Sequence, residues 1–270
     1  MPRSVFFVSD STGITIENLG RALLAQFGDT GFHHQTYVFI DSPAKVDTVI
    51  AAIDYAAERD GERPLVFSTQ ADPALRRRLA GCRGLLLDPF DAFTGLLAEE
   101  LGKEPQSRRG HLHGIFDRNR YDSRMAAVEF TLRHDDGALP GRYSEAELIL
   151  VGPSRTGKTP TSLYLAIQYG IRVANYPLLD EELESLRLPP ALLACRDRLY
   201  GLVVDPERLQ EIRSARRPGD RDYASPARCR HEVEAAIALF RRNAIPWLNA
   251  TSMSVEEIAA HIISDLGLHR

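Results

Sequence analysis

Apolar and polar positions alternate along the first hundred residues in a pattern that predicts a parallel α/β sheet. Short apolar runs of strand length are each followed by a longer stretch with helical spacing, and this succession builds βαβ units. Ser42 and Asp72 each stand directly before a proline, so we expect their side-chain oxygens to cap two of these helices. The predicted strands are Ser4–Val8, Thr36–Ile40, Pro64–Phe67 and Gly84–Leu87.

The second half of the chain starts the alternation again after a polar, basic stretch at residues 103–123. A helix is predicted at about Arg124–Arg133, and Ser254 with Glu257 forms a capping box at the start of the last helix. The remaining predicted elements are the strands Ala146–Val151, Leu199–Val204 and Ile245–Leu248 and the helices Gly157–Tyr169 and Ser225–Arg241.

Composition indicates an ordinary globular protein and argues against several classes. The chain has 270 residues, of which 44% are hydrophobic and 26% charged, with a formal net charge of −4. This mild acidity argues against nucleic acid as a partner. No apolar stretch is long enough for a membrane span or a signal peptide, so we expect no membrane association. The only cysteines are Cys82, Cys195 and Cys229, whose spacing indicates neither a disulfide framework nor a zinc site and favours the cytoplasm.

Residues 152–159 read GPSRTGKT and match the phosphate-binding loop (P-loop) pattern at every required position. In such a loop, glycines permit the backbone angles that point successive amides at a phosphate, and the following helix adds its partial positive charge. Lys158 neutralises phosphate oxygens, and Thr159 offers a hydroxyl to Mg²⁺. We predict that a nucleotide is bound by Gly152, Pro153, Ser154, Arg155, Thr156, Gly157, Lys158 and Thr159.

These patterns predict an α/β fold in which an N-terminal parallel-sheet βαβ domain is followed by a P-loop NTPase-like kinase domain. The predicted boundaries are residues 1–102 for the N-terminal α/β domain, 103–143 for a linker and helix, and 144–270 for the kinase domain. Within the P-loop, the Arg155 side chain either adds a second cation over the phosphates or faces solvent.

Acidic residues are the candidates for the remaining chemistry. Asp205 follows a predicted strand and is placed to hold Mg²⁺ together with Thr159, although an aspartate before a proline also caps helices. Asp135 and Asp136 share a turn, where one of them, Asp136 in our interpretation, accepts a proton from a substrate hydroxyl or both are simply solvated. Asp10 lies in a polar segment that suits either a second anion site or a helix cap by Ser11 or Thr12. The predicted catalytic residues are Lys158, Asp205, Asp136 and Asp10.

The basic stretch has two interpretations. It either contacts a phosphate or an acidic partner surface, or it is scattered surface charge, which is the default for such a run. Two of its histidines, His111 and His113, lack a visible third ligand for a metal. The basic residues and histidines are Arg108, Arg109, His111, His113, Arg118 and Arg120.

Gly152–Leu178 resembles the central segment of the bacterial phosphoenolpyruvate synthase regulatory proteins, which are close relatives of the pyruvate, phosphate dikinase regulatory proteins. The P-loop alone is generic, but GKTPTSLYLA followed by ANYPL is specific to this family. The resemblance covers essentially the whole chain, and YASPARCR and IPWLN favour the synthase branch. Its other segments are Phe6–Gly20, Arg120–Gly137, Leu199–Arg213, Arg221–Ala236 and Ile245–Ala259.

The resemblance implies a bifunctional regulator. Such a protein phosphorylates a threonine of phosphoenolpyruvate synthase with ADP as donor, which inactivates the synthase. It also removes that phosphate with inorganic phosphate and releases pyrophosphate, and it prefers a target already phosphorylated on its catalytic histidine. The resemblance also implies that residues 152–159 bind ADP, that Mg²⁺ is a cofactor and that the protein lies in the cytoplasm. It is compatible with a homodimer.

Three other functions are compatible with the residues. The same chemistry could act on pyruvate, phosphate dikinase. A P-loop after a strand is also shared by ATP-dependent kinases of small molecules. Finally, a nucleotide-gated binding protein would bind without transferring phosphate. The first two, like the synthase regulator, predict that a Lys158→Ala variant loses transfer.

Overall fold

The computed structural model describes residues 2–28, 31–105, 118–135, 143–220 and 222–268, with the backbone alone at 118–120. Backbone contacts divide the chain into two compact units, Met1–Ile115 and Phe116–Arg270. Each unit contains a parallel sheet of four strands flanked by helices, so the predicted α/β class is confirmed. The domain boundaries inferred from the sequence stay a prediction.

The first unit has the strand order β2-β1-β3-β4, with β1 in the interior. β1 is buried on both faces because helices cover both sides of the sheet. Phe6 packs in one hydrophobic cluster and Phe7 in the other, which follows from the alternation of side chains along a strand. The strands are β1 Arg3–Ser9, β2 Phe32–Tyr37, β3 Leu65–Thr69 and β4 Leu85–Leu87. The helices are α1 Ile14–Leu24, α2 Pro43–Asp60, α3 Pro73–Leu79 and α4 Pro89–Leu101.

Two local predictions in the first unit are wrong. The strand expected at Thr36–Ile40 begins earlier and ends at Tyr37, because β2 is a half-exposed edge strand whose polar residues hide it from a search for apolar runs. Ser42 is the N-cap residue of α2, but its side chain makes no capping hydrogen bond. The cap by Asp72 is confirmed, since its carboxylate accepts from the amide of Ala74 at 2.8 Å.

The second unit has the strand order β6-β5-β7-β8. β5 is fully buried and ends at the P-loop. The strands are β5 Leu148–Gly152, β6 Val173–Pro177, β7 Leu199–Val203 and β8 Trp247–Asn249. The helices are α5 Arg118–Arg133, α6 Lys158–Tyr169, α7 Asp180–Ser185, α8 Pro190–Leu193, α9 Pro206–Arg216, α10 Pro226–Arg242 and α11 Val255–Leu266.

Sequence patterns missed part of this second unit. β6 was not predicted, because a polar asparagine and a proline interrupt its apolar run. The helix expected from Arg124 begins at Arg118. The capping box of Ser254 and Glu257 is confirmed by hydrogen bonds of 3.2 and 2.8 Å between each side chain and the other's amide. Within the described ranges, no helix is both long and apolar enough to cross a membrane.

Candidate functional site

The predicted P-loop connects the end of β5 to the start of α6. Gly152 passes so close to β7 that an added Cβ would lie 2.1 Å from the carbonyl oxygen of Leu202. Two residues of the loop, Arg155 and Gly157, have left-handed backbone angles, with φ of 75° and 89°. Such turns aim successive backbone amides at one point and form a concave site for an anion.

Backbone amides and an ammonium group line this loop. Within the described residues, the amides of residues 154–157 donate no hydrogen bond, so they remain available to a ligand. The Lys158 side chain is buried, and its Nζ donates to the carbonyl oxygens of Gly152 at 3.1 Å and Pro153 at 2.8 Å. The loop therefore offers the donors and positive charge that a phosphate group requires.

A carboxylate lies beside the hydroxyl of the P-loop threonine. Thr159 Oγ1 donates to Asp135 Oδ1 at 2.9 Å, and Nδ2 of the buried Asn175 on β6 donates to the same carboxylate oxygen. The predicted base Asp136 lies outside the described residues. Of the two aspartates of this turn, the structure brings Asp135 to the loop, and it adds Asn175, which sequence reasoning missed.

These oxygen atoms fit Mg²⁺. The ion usually keeps several waters and binds through one or two carboxylates plus the phosphates of the substrate. Thr159 and Asp135 supply a hydroxyl and a carboxylate 2.9 Å apart. Across the described ranges, no three His, Cys, Asp or Glu side chains converge into a metal site of protein ligands alone. Thr159 and Asp135 could therefore supply only part of the coordination of a Mg²⁺ ion.

Asp205 lies just after β7, the strand next to β5. Its Oδ1 accepts from Asn249 Nδ2 at 2.7 Å, and its amide donates to Thr251 Oγ1 at 2.7 Å. Asp205 is the N-cap residue of α9 but its side chain makes no capping hydrogen bond, so the capping alternative is wrong. Its role as a metal ligand with Thr159 stays a prediction.

Asp10 lies in the first unit, where the polar segment after β1 meets the end of β3. Its Oδ2 accepts from the amide of Ala71 at 3.1 Å. α1 begins after Gly13 without a side-chain cap, so capping by Ser11 or Thr12 is wrong. The Asp10 side chain thus links the loops that follow β1 and β3 at the carboxyl edge of the sheet. Its catalytic role stays a prediction.

A buried arginine on α9 ties the P-loop to the rest of the second unit. Arg213 is fully buried, and its Nη2 donates to the carbonyl oxygen of Ser154 at 3.1 Å. Its guanidinium group also pairs with Glu232 on α10 and stacks on the ring of Tyr223 at 4.5 Å. Sequence reasoning missed this network, since the segment RSARR looks like surface charge.

Glu232 is the anionic partner in this network. Burial by itself raises the pKa of its carboxyl, but hydrogen bonds from Arg213 and Arg228 outweigh burial and hold that pKa below its ordinary value. The pair therefore stays charged near neutral pH and can hold the loop carbonyl in place.

Comparison with known proteins identifies relatives over the full length. Residues 5–263 match the family model described as kinase/pyrophosphorylase. A protein of Neisseria meningitidis that carries the name phosphoenolpyruvate synthase regulatory protein is 47% identical over 270 residues, which is 100% of this chain and 98% of the relative. A protein of the same name from Pseudomonas fluorescens is also 47% identical, over 100% of this chain and 99% of its own length.

Proposed function

The chain belongs to the kinase/pyrophosphorylase family, and we propose that it regulates phosphoenolpyruvate synthase by reversible phosphorylation. In the inactivating direction it transfers the β-phosphoryl group of ADP to a threonine of the synthase and releases AMP. In the activating direction it removes that phosphate with inorganic phosphate and releases pyrophosphate. The observation that carries the proposal is the full-length similarity to relatives named for this target. The complete P-loop supports the phosphotransfer chemistry.

The P-loop has the groups that ADP would need. The loop amides and Lys158 would stabilise the negative charge that develops between the α- and β-phosphates as the bond breaks. Thr159 and Asp135 would hold Mg²⁺, with Asp205 as the further candidate ligand. When bound, Mg²⁺ would neutralise part of the charge on the phosphates. The hydroxyl of the acceptor threonine must lose its proton, and Asp136 and Asp10 stay the candidates predicted from the sequence for accepting it.

Both directions can use the same loop, because phosphorolysis is the kinase reaction run backwards with orthophosphate in place of AMP. An oxygen of orthophosphate attacks the phosphorus of phosphothreonine and forms the P–O–P bond of pyrophosphate. The bond from phosphorus to the threonine oxygen breaks, and that oxygen takes up a proton. Orthophosphate would therefore occupy the position of the α-phosphate of ADP, with the loop amides and Arg155 as its ligands.

The decisive experiment mixes the chain with phosphoenolpyruvate synthase, Mg²⁺ and ADP and measures the mass of the synthase and the release of AMP. Synthase in both histidine-phosphorylation states is used. We expect one added phosphate on a threonine with the wild-type chain and none with Lys158→Ala. Absence of the mass gain in both states of the synthase would exclude the proposal. Transfer from ATP to a small molecule without synthase would favour a metabolite kinase.

Location and assembly follow as secondary proposals. All three cysteines are free and buried, which suits the reducing cytoplasm, where ADP and inorganic phosphate are available. A homodimer stays a prediction, and size-exclusion chromatography with light scattering would test it.

A further inference from the structure

A basic cavity opens beside the P-loop in the second unit. Its volume is about 690 Å³. Arg155 contributes from the loop, and the rest of the lining is one face of α9. We call it the arginine cavity; its lining residues are Arg155, Arg208, Glu211, Ile212, Ala215 and Arg216.

Positive charge dominates this cavity. Three arginines and one glutamate line it, so positive charge is in excess. Arg208 pairs with Glu211 at 2.8 Å, and both side chains are more than half exposed, so the attraction within this pair is weak. The side chains of Arg155 and Arg216 have no acidic partner within the described residues. An open surface with excess guanidinium groups attracts carboxylate or phosphate groups. The cavity is therefore complementary to an anionic ligand.

The spacing along α9 fits an extended peptide. Arg208 and Arg216 are two helical turns apart, about 12 Å at 1.5 Å per residue. An extended chain covers that distance with about four residues. Ile212 and Ala215 lie between the two arginines and offer a small apolar surface. A segment with acidic side chains at two positions and an apolar side chain between them would match this face.

Arg213 keeps the arginine cavity in a constant position relative to the P-loop. It lies on the same helix as the cavity residues, and it donates to Ser154 inside the loop. A group bound in the cavity is therefore held at a constant distance from the phosphoryl group that the loop would carry. Recognition of the acceptor segment requires such a constant distance, because the acceptor threonine must lie at the phosphoryl group while its neighbours are bound.

We infer that the arginine cavity docks an acidic segment of the protein substrate next to its acceptor threonine. The inference rests on the proposed function, since it needs a protein as phosphoryl acceptor. A single orthophosphate ion would leave most of the cavity empty. The base of a nucleotide would find no aromatic side chain in its lining.

The test is steady-state kinetics of synthase phosphorylation with the charge-reversal variant Arg208→Glu/Arg216→Glu. One series varies synthase at saturating ADP, and the other varies ADP at saturating synthase. The matched control is Arg241→Glu, since Arg241 is an exposed arginine on α10 outside the cavity lining. Fluorescence of Trp247 during thermal unfolding verifies that each variant is folded.

We expect the double variant to raise the KM for synthase at least tenfold and to change the KM for ADP less than twofold. The control should match the wild type in both. A rise in the KM for ADP alone would overturn the inference and make the cavity part of the nucleotide site. Unchanged KM values would also overturn the inference, because the arginines of the cavity would then be no more than surface charge. A wild-type chain that transfers no phosphate to synthase would instead refute the proposed function, and the docking role with it.

Discussion

Replacing Arg213 by leucine should separate two effects that one side chain combines, the stability of the second unit and the position of the P-loop. Removing one partner of a buried ion pair costs about 3–5 kcal/mol because the other charge stays buried without it. Arg228 still donates to Glu232 at 2.8 Å, so we expect the lower end, about 3 kcal/mol. The loss should appear as a lower midpoint of urea unfolding.

The double variant Arg213→Leu/Glu232→Leu is the matched comparison. Replacing both members of a buried pair by apolar residues is often neutral for stability. Here the double replacement also removes the donor for the carbonyl oxygens of Ser154 and Tyr223. Each lost hydrogen bond should lower the free energy of unfolding by about 1 kcal/mol. The double variant should therefore be more stable than the single one, and yet its P-loop is equally untethered.

Two measurements distinguish these effects. Trp247 is the sole tryptophan of the sequence and lies on β8, so its fluorescence reports unfolding of the second unit. Calorimetry reports ADP affinity. We expect both variants to bind ADP about tenfold more weakly, because an untethered loop must be ordered on binding. Arg241→Leu should leave both quantities unchanged. If the double variant regained both stability and ADP affinity, the proposed role of Arg213 in positioning the P-loop would be refuted.

Four further predictions follow from the site. Gly152→Ala should lower both the melting temperature and ADP affinity, because its Cβ would lie 2.1 Å from the carbonyl oxygen of Leu202; normal ADP binding would contradict this. Asp135→Asn should raise the Mg²⁺ concentration needed for half-maximal transfer at least as much as Asp205→Asn does, and a weaker effect would move the metal toward Asp205. AMP should compete with orthophosphate during phosphorolysis; noncompetitive inhibition would indicate two separate sites. Because the pKa of Glu232 is lowered by folding, its stabilisation is present above its ordinary pKa of 4.5 and is lost as pH falls through the folded value. Urea unfolding of Glu232→Gln should therefore depend less on pH below 4.5 than that of the wild type.

Elements with continuous apolar runs could be predicted from the sequence, whereas two edge strands, β2 and β6, were misplaced or missed. β1, β5 and β7 are buried on both faces and therefore contain continuous apolar runs, which makes them visible in a local pattern. β2 and β6 lie at the edges of their sheets. The partial exposure of β2 admits polar residues, whereas in β6 the buried Asn175 and the edge position of Pro177 interrupt the apolar run. The first was placed several residues late and the second was missed.

The same distinction applies to the candidate site. The P-loop is contiguous, so a sequence pattern finds it whole. Asn175 and Asp135 are 40 residues apart, and Arg213 and Ser154 are 59 apart. These pairs are in contact only because β6 and α9 pack beside the loop. A local sequence pattern cannot predict such a contact between distant residues. Sequence reasoning therefore predicted a phosphate-binding loop and missed the residues that hold this loop in position.

α9 connects the two proposals for the second unit. Arg213, which is buried, holds a carbonyl oxygen of the P-loop, while Arg208 and Arg216 on the same helix line the arginine cavity. A substrate segment that binds the cavity would stabilise the position of α9 and with it the geometry of the loop. Synthase and ADP should therefore bind cooperatively in the wild type, since one ligand would order what the other needs. Loss of Arg213 removes the connection, so the affinity for ADP should then no longer depend on whether synthase is bound.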